Sequence, residues 1–245
     1  MRSTGTFAAA AARRLLLPLA PKPQKLGLQF WINRISGSLE PELLHLDEYV
    51  AETRTAIDIG ANTGMYTYAL SKRFERVVAF EINEKITGPI RDYNRGNIEL
   101  MHCGLSSHAG RAQFYIPVAG GMEQAGWASL NRDNLPGADR LIEFEVELKP
   151  LDEFGLTNVD FVKIDVEGHE VEVFKGAAET ISKWRPMVLV ELKKEHVQEA
   201  DAWFSNLDYK HCRLEDFAGL PGHRSNHIYT PMERLARFGI ARPEN

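Results

Sequence analysis

The stretch Ala56-Ile-Asp58-Ile-Gly60-Ala-Asn62-Thr-Gly64 runs from a short apolar strand into a tight turn, and Met65 to Phe74 follows with helical spacing. Strand, glycine turn and helix in that order form the setting in which an α/β sheet receives a nucleotide-type ligand. Gly60 permits a sharp turn and close backbone approach. Asn62 tolerates left-handed backbone angles and offers an amide to a ligand, and Gly64 lets the helix begin close to the strand. The spacing D-x-G-x-x-x-G is not the dinucleotide fingerprint, and the Lys-Ser/Thr pair of a phosphate loop is missing. The turn therefore favours a ligand without pyrophosphate over NAD or ATP.

The next strand, Arg76 to Phe80, closes on Glu81, 17 residues after Gly64. An acid at that strand end is where such sheets hold a ribose diol, and a carboxylate accepting two hydroxyl hydrogens makes charge-assisted bonds. Turn and acid together fit S-adenosylmethionine, an adenosine joined to a sulfonium and an amino acid. A helix over Glu84 to Asn94, interrupted at Gly88-Pro89, and a strand over Ile98 to His102 continue the alternation. Near-continuous apolar strands separated by helices predict a parallel sheet covered on both faces.

The middle of the chain departs from that rhythm. Arg111 to Ile116 and the strictly alternating Leu141 to Leu148 predict an inserted hairpin-like pair of strands. Between them, Val118 to Asp139 forms a long Gly- and Asn-rich loop with Trp127, Ser129 and Asn131, of the length usually reserved for function. The alternation resumes with a strand over Val159 to Ile164, a helix over His169 to Ser182, a strand over Met187 to Val190 ending at Glu191, and a helix over Glu195 to Asn206. Two late strands, near Tyr209 to Leu214 and His227 to Thr230, complete the sheet.

Chemistry concentrates at Phe161-Val-Lys-Ile-Asp165-Val-Glu167-Gly-His169-Glu170. An apolar strand that ends on a carboxylate delivers it to the open end of the sheet, where ligands bind. Asp165 and Glu191, at the ends of successive strands, face one cleft. Like charges raise one pKa and make a base; alternatively the pair holds a divalent cation on oxygen ligands or only positions a ligand, and the cation is the less favoured reading. His169 at the helix start is kept neutral by the dipole and able to accept a proton, or is satisfied locally. Glu167 and Glu170 suit the same helix start as capping groups. Lys163, inside the strand, requires a carboxylate partner or a ligand.

The chain has 245 residues, 44% hydrophobic and 26% charged, with a net charge of −5. That suffices for one large domain and argues against a general nucleic-acid backbone binder. Cys103 and Cys212 are too few for a disulfide scaffold and lack metal-ligand spacing. The N-terminal segment predicts an irregular leader ending at Pro21-Lys-Pro23, then a helix over Glu40 to Val50, so residues 1–50 form an extension ahead of a domain at 51–245. The apolar run after Arg13-Arg14 is too short for a secretory signal. With Leu26, Leu28, Phe30, Trp31, Ile32 and Ile35 it offers a second reading, peripheral contact with a membrane.

Ala56 to Gly64, Val78-Ala-Phe-Glu81, Pro150-Leu-Asp-Glu-Phe154 and Val162-Lys-Ile-Asp-Val-Glu-Gly-His-Glu170 occur in the order found in the FkbM family of S-adenosylmethionine-dependent methyltransferases, which the chain resembles from about Ala51 to Pro231. Gly176-Ala177 and Pro186 to Glu191 extend the likeness. The resemblance implies a Rossmann-like class I methyltransferase fold, a seven-stranded mostly parallel sheet with the last strand antiparallel and helices on both faces. It also implies methyl transfer, usually to a hydroxyl oxygen of a sugar, glycolipid or polyketide-type natural product. Asp58, Gly60, Asn62 and Gly64 would surround the methionine half of the cofactor, with hydroxyls from Thr63, Tyr66 and Thr67 in reach. Glu81 would take the ribose, and Cys103 and Leu105 would line the adenine pocket. Ser129 matches a small-residue-Ser position near the cofactor, and Trp127 is placed to stack on a sugar or anchor a lid. Asp165, Glu191 and His169 are the catalytic candidates. The expected location is cytoplasmic, where the methyl donor is made, with the inner membrane face as a variant. Methylation of nitrogen or carbon and a silent cofactor-binding module are the alternatives. Neither acceptor nor oligomeric state can be read from these residues.

Overall fold

The computed structural model describes residues 12–93, 95–135 and 137–241; residues 1–11 of the expected leader lie outside them, as does Asn94. Residues 12–16 are helical. Three helices follow, α1 (Lys22–Ile35), α2 (Pro41–Leu44) and α3 (Leu46–Tyr49). The first β/α units are β1 (Thr55–Ile59), α4 (Met65–Ser71), β2 (Arg76–Phe80), α5 (Gly88–Tyr93) and β3 (Ile98–Met101). The insert consists of β4 (Gly104–Leu105), β5 (Gly110–Ala119), β6 (Met122–Glu123) and β7 (Arg140–Lys149). Then come β8 (Val159–Ile164), α6 (Glu170–Gly176), α7 (Ala178–Trp184), β9 (Met187–Glu191), α8 (Val197–Ser205), β10 (Tyr209–Cys212), α9 (Leu214–Ala218) and β11 (Asn226–Pro231).

Seven strands form the main sheet in the order β10-β11-β9-β8-β1-β2-β3. All neighbours are parallel except β11, which runs against both β9 and β10. Strand order reverses between β1 and β8, and ligands bind at the carboxyl ends of strands beside such a reversal. The insert is a separate four-stranded sheet, β4-β7-β5-β6, dominated by the long β5–β7 hairpin.

Side-chain alternation divides the core. Ile57, Ile59, Val162 and Ile164 point to the face covered by α6, α7 and α8. Ala56 and Phe161 point to the other face, with Leu26 and Phe30 of α1, Leu43, and Leu46 and Tyr49 of α3. The helical periodicity here differs from expectation in two places. Pro21 does not end an irregular leader; it caps α1, and Pro23 sits in the first turn where its missing N–H leaves nothing unsatisfied. Leu26, Phe30 and Ile32 are buried against the domain. The single helix expected over Glu40 to Val50 divides at His45, whose backbone leaves helical angles.

Because the extension shares the core, truncating it is costly. Leu46 is fully buried in that cluster, so Leu46→Ala should lower unfolding free energy by about 3 kcal/mol. Chemical denaturation checks this; a change within a few tenths would show that the extension is only draped on the surface.

Candidate active site

Two backbone constraints build the site. Gly60 holds φ +79°, and a Cβ there would overlap the carbonyl oxygen of Asp165. The Asp165 N–H donates to the Ile59 carbonyl at 2.9 Å, so the glycine turn and the end of β8 are locked face to face. The second constraint runs through Glu81. Its Oε2 accepts from the Asn62 N–H at 2.8 Å and its Oε1 from the Asn83 N–H at 2.8 Å. Asn62 itself stands at φ +50°, the left-handed conformation expected of it.

Above these groups lies a cleft at the carboxyl ends of β1, β2 and β8, the place where such sheets bind ligands. Gly60, Asn62, Glu81, Cys103 and Leu105 all line it, with Phe80, Ile82, Phe114 and Leu130 as apolar walls. Three of the cofactor candidates do not line it. Asp58 alternates to the opposite face of β1, is buried, and accepts a hydrogen bond from Thr67 Oγ at 2.5 Å. Burial raises its pKa to about 6 against the lowering by Thr67 and Lys163. Gly64, at φ +95°, is where α1 and α5 close in: a Cβ would press into Ile90, with Leu26 beside it. Ser129 is buried and donates to the Glu167 carbonyl at 2.8 Å. Its neighbours Ala128 and Leu130 reach the cleft instead. The long loop is therefore a wall, tied to β5 by reciprocal backbone bonds between Tyr115 and Ser129.

A second space adjoins the cleft and is lined by Asp165, Glu167, Glu170, Glu191, Lys193 and Ser225 among others. Asp165 and Glu167 line both spaces. Burial, then the charge of Asp165, pushes both Glu167 and Glu191 up to about 7. Lys163 is fully buried, with Nζ 3.8 Å from Asp165 and 5.2 Å from the centre of the Tyr66 ring. Among the described residues, no group of three or more His, Cys, Asp and Glu side chains is arranged to hold a metal ion.

The remaining candidates separate. His169 lines neither space; its Nε2 pairs with Ser106 Oγ at 3.0 Å, and burial lowers its pKa. Glu170 is buried, and its Oε1 accepts from the Gly168 N–H at 2.8 Å, a bond at the start of α6 that fits the capping role. Glu167 does not fit that role. It precedes the helix at φ +52° and its side chain faces both spaces. Tyr66 and Thr67 turn their hydroxyls to Glu40 and Asp58 and away from the cleft. Trp127 is largely exposed.

Glu40 was not singled out in the sequence. It accepts from Tyr66 Oη at 2.6 Å and Asn226 Nδ2 at 2.8 Å. Burial would raise its pKa, but Lys163, Tyr66 and Asn226 outweigh burial and hold it low. Nothing in the local sequence of a helix-leading glutamate signals this, since its partners lie 26 and 186 positions away.

The chain matches the methyltransferase FkbM domain over residues 58–211. It belongs to the FkbM methyltransferase family. It is 25% identical over 167 residues to the methyltransferase sdnD of Sordaria araneosa, an alignment covering 50% of this chain and 60% of that protein. The crystal structure of methyltransferase FkbM from Methylobacillus flagellatus KT superposes with a TM-score of 0.53 at 17% identity, covering 90% of this chain and 58% of that one. The chain thus spans about three-fifths of the length of each of these two relatives.

The raised carboxyl of Glu167 gives a stability test. Its folded pKa of about 7 exceeds the ordinary 4.5, so the fold favours the protonated form. That contribution is complete below pH 4.5 and is lost as pH rises through 7. Glu167→Gln, permanently neutral, should therefore melt above the wild type at pH 8 and level with it near pH 4. A pH-independent difference in melting temperature would contradict the assignment.

Proposed function

We propose that this FkbM-family chain is an S-adenosylmethionine-dependent methyltransferase that methylates a hydroxyl oxygen on a sugar, glycolipid or polyketide-type acceptor. The observation that carries this reading is the wall of Asp165, Glu167 and Glu191, which stands where the cleft beside the glycine turn meets a second space.

The cleft residues fit the cofactor. Each Glu81 oxygen spends one lone pair on a backbone N–H, and a carboxylate oxygen has two, leaving one apiece for the two ribose hydroxyls. Phe80, Ile82, Cys103 and Leu105 supply an apolar slot for adenine. Gly60 brings backbone close to the methionine portion, with Asn62 beside it. When bound, S-adenosylmethionine supplies an electrophilic methyl on a sulfonium that leaves as a neutral thioether. The protein's task is then to hold an acceptor oxygen in line with that methyl and to remove its proton.

The second space receives the acceptor. Asp165, ion-paired to Lys163, accepts a hydrogen bond from the acceptor hydroxyl and orients it. Glu167, poised near pH 7, takes the proton as the carbon–oxygen bond forms. Glu191 keeps local charge high from the far side. The reading places the reaction in the cytoplasm, where the methyl donor is made. No helix among the described residues is long and apolar enough to cross a membrane.

Transfer of a tritiated methyl from S-adenosylmethionine to candidate glycans, with the product's methyl position assigned by NMR, tests the reading. Turnover should rise with pH through about 7. Glu167→Gln should remove that limb and lower kcat about 10²- to 10⁴-fold. A methyl found on nitrogen or carbon would overturn the hydroxyl assignment. For the cofactor, calorimetry should show heat on titration with S-adenosylhomocysteine that Gly60→Ala abolishes, because its Cβ would force the turn away from β8. No heat with the wild type would overturn the cofactor reading.

A further inference from the structure

Charge is distributed unevenly along this chain. Residues 1–39 carry six lysines and arginines and no acid, while the whole chain has a net charge of −5, so the remainder carries −11. The basic segment is also where large apolar side chains meet solvent. Leu15 is 68% exposed, Leu19 83%, Trp31 51% and Ile35 84%. Leu28, Trp31 and Ile35 recur at spacings of three and four, so one stripe of α1 faces outward while Leu26 and Phe30 face the core. A folded domain rarely leaves so much apolar surface uncovered on one segment without a partner for it.

The two halves of this segment are held together. The Arg13 guanidinium donates to Asn33 Oδ1, which brings the turn bearing Leu15 to Leu19 beside the end of α1. Asn33 Nδ2 in turn reaches Met65 Sδ at 3.4 Å. Leu26 packs close to Gly64. Gly64 and Met65 begin α4, so the inner side of α1 is fixed against the start of that helix, while Leu28 and Trp31 border a surface hollow with Tyr68 and Tyr93. Arg34 lies 5.3 Å from the centre of the Trp31 ring. Lys22 and Arg14 are exposed as well.

We propose that this basic, apolar surface is a docking surface for an anionic lipid bilayer. Leucine, tryptophan and isoleucine enter the boundary between headgroups and acyl chains, while the lysines and arginines meet lipid phosphates. The absence of any acid in residues 1–39 is what selects an anionic membrane. The strongly acidic remainder is repelled from the same surface, and that sets the orientation.

Vesicle flotation of the full chain tests this without reference to catalysis. The protein should float with vesicles of phosphatidylglycerol and phosphatidylcholine and stay behind with phosphatidylcholine alone. Raising salt from 50 to 500 mM should release it, since the charge attraction is screened. The double variant Lys22→Glu/Arg34→Glu should bind about tenfold more weakly or worse, and Leu19→Glu/Ile35→Glu should do the same while leaving the melting temperature unchanged. Equal flotation on neutral vesicles, flotation on neither, or a dimer in light scattering that both variants dissolve would each overturn the proposal. The last result would assign the stripe to a second copy of the chain.

Discussion

One buried ammonium organises this molecule. Lys163 sits inside β8 with its side chain 1% exposed, a placement that is expensive unless surrounding groups compensate. Burial pushes its pKa down, but Asp165, Glu40, Glu191 and Asp58 outweigh burial and hold it above the ordinary lysine range. Each of those acids comes from a different element: β8's own end, the residue before α2, the end of β9, and β1. Removing the cation would leave like charges facing each other in a poorly solvated space. The cation therefore ties the glycine-turn strand, the N-terminal extension and the carboxylate wall at the ends of β8 and β9 to one point.

That arrangement also lets the site hold carboxylates with different roles. Asp165 faces the ammonium, whereas Glu167 is farther along the chain and feels mainly burial and repulsion. Two acids two residues apart thus meet different electrostatic surroundings because of the direction each side chain takes after the strand ends. Gly168, at φ +98°, follows Glu167 at φ +52°, and this pair of left-handed residues turns the chain sharply enough to separate them.

The strands and the position of the cleft were legible because they rest on local pattern: apolar runs, a glycine turn at a fixed spacing, and acids at strand ends. Gly60, Asn62, Glu81, Cys103 and Leu105 all fall in one cleft for that reason. What local pattern could not convey was side-chain direction and long-range pairing. Period-two alternation sets Asp58 on the face opposite Ile57 and Ile59, but only the register with Lys163 on β8 shows which face that is. Glu40 acquires its role from Tyr66 and Asn226, which no spacing rule connects to it. Glu167 looked like a helix-start residue because a positive φ in a non-glycine residue leaves no mark in the sequence. The helix over Lys22–Ile35 was hidden by prolines that usually signal irregular chain, although both stand where a helix start accepts them.

The position of Asp58 has a bearing on how such sequences are sorted. Its carboxyl points into the protein, receiving Thr67 and facing the Lys163 cluster, so its presence reports that β1 and α4 are properly joined. It says little about whether a ligand is held. A sort of such chains by an intact aspartate at this motif position would register how the strand and helix are joined, and would be blind to what lines the cleft.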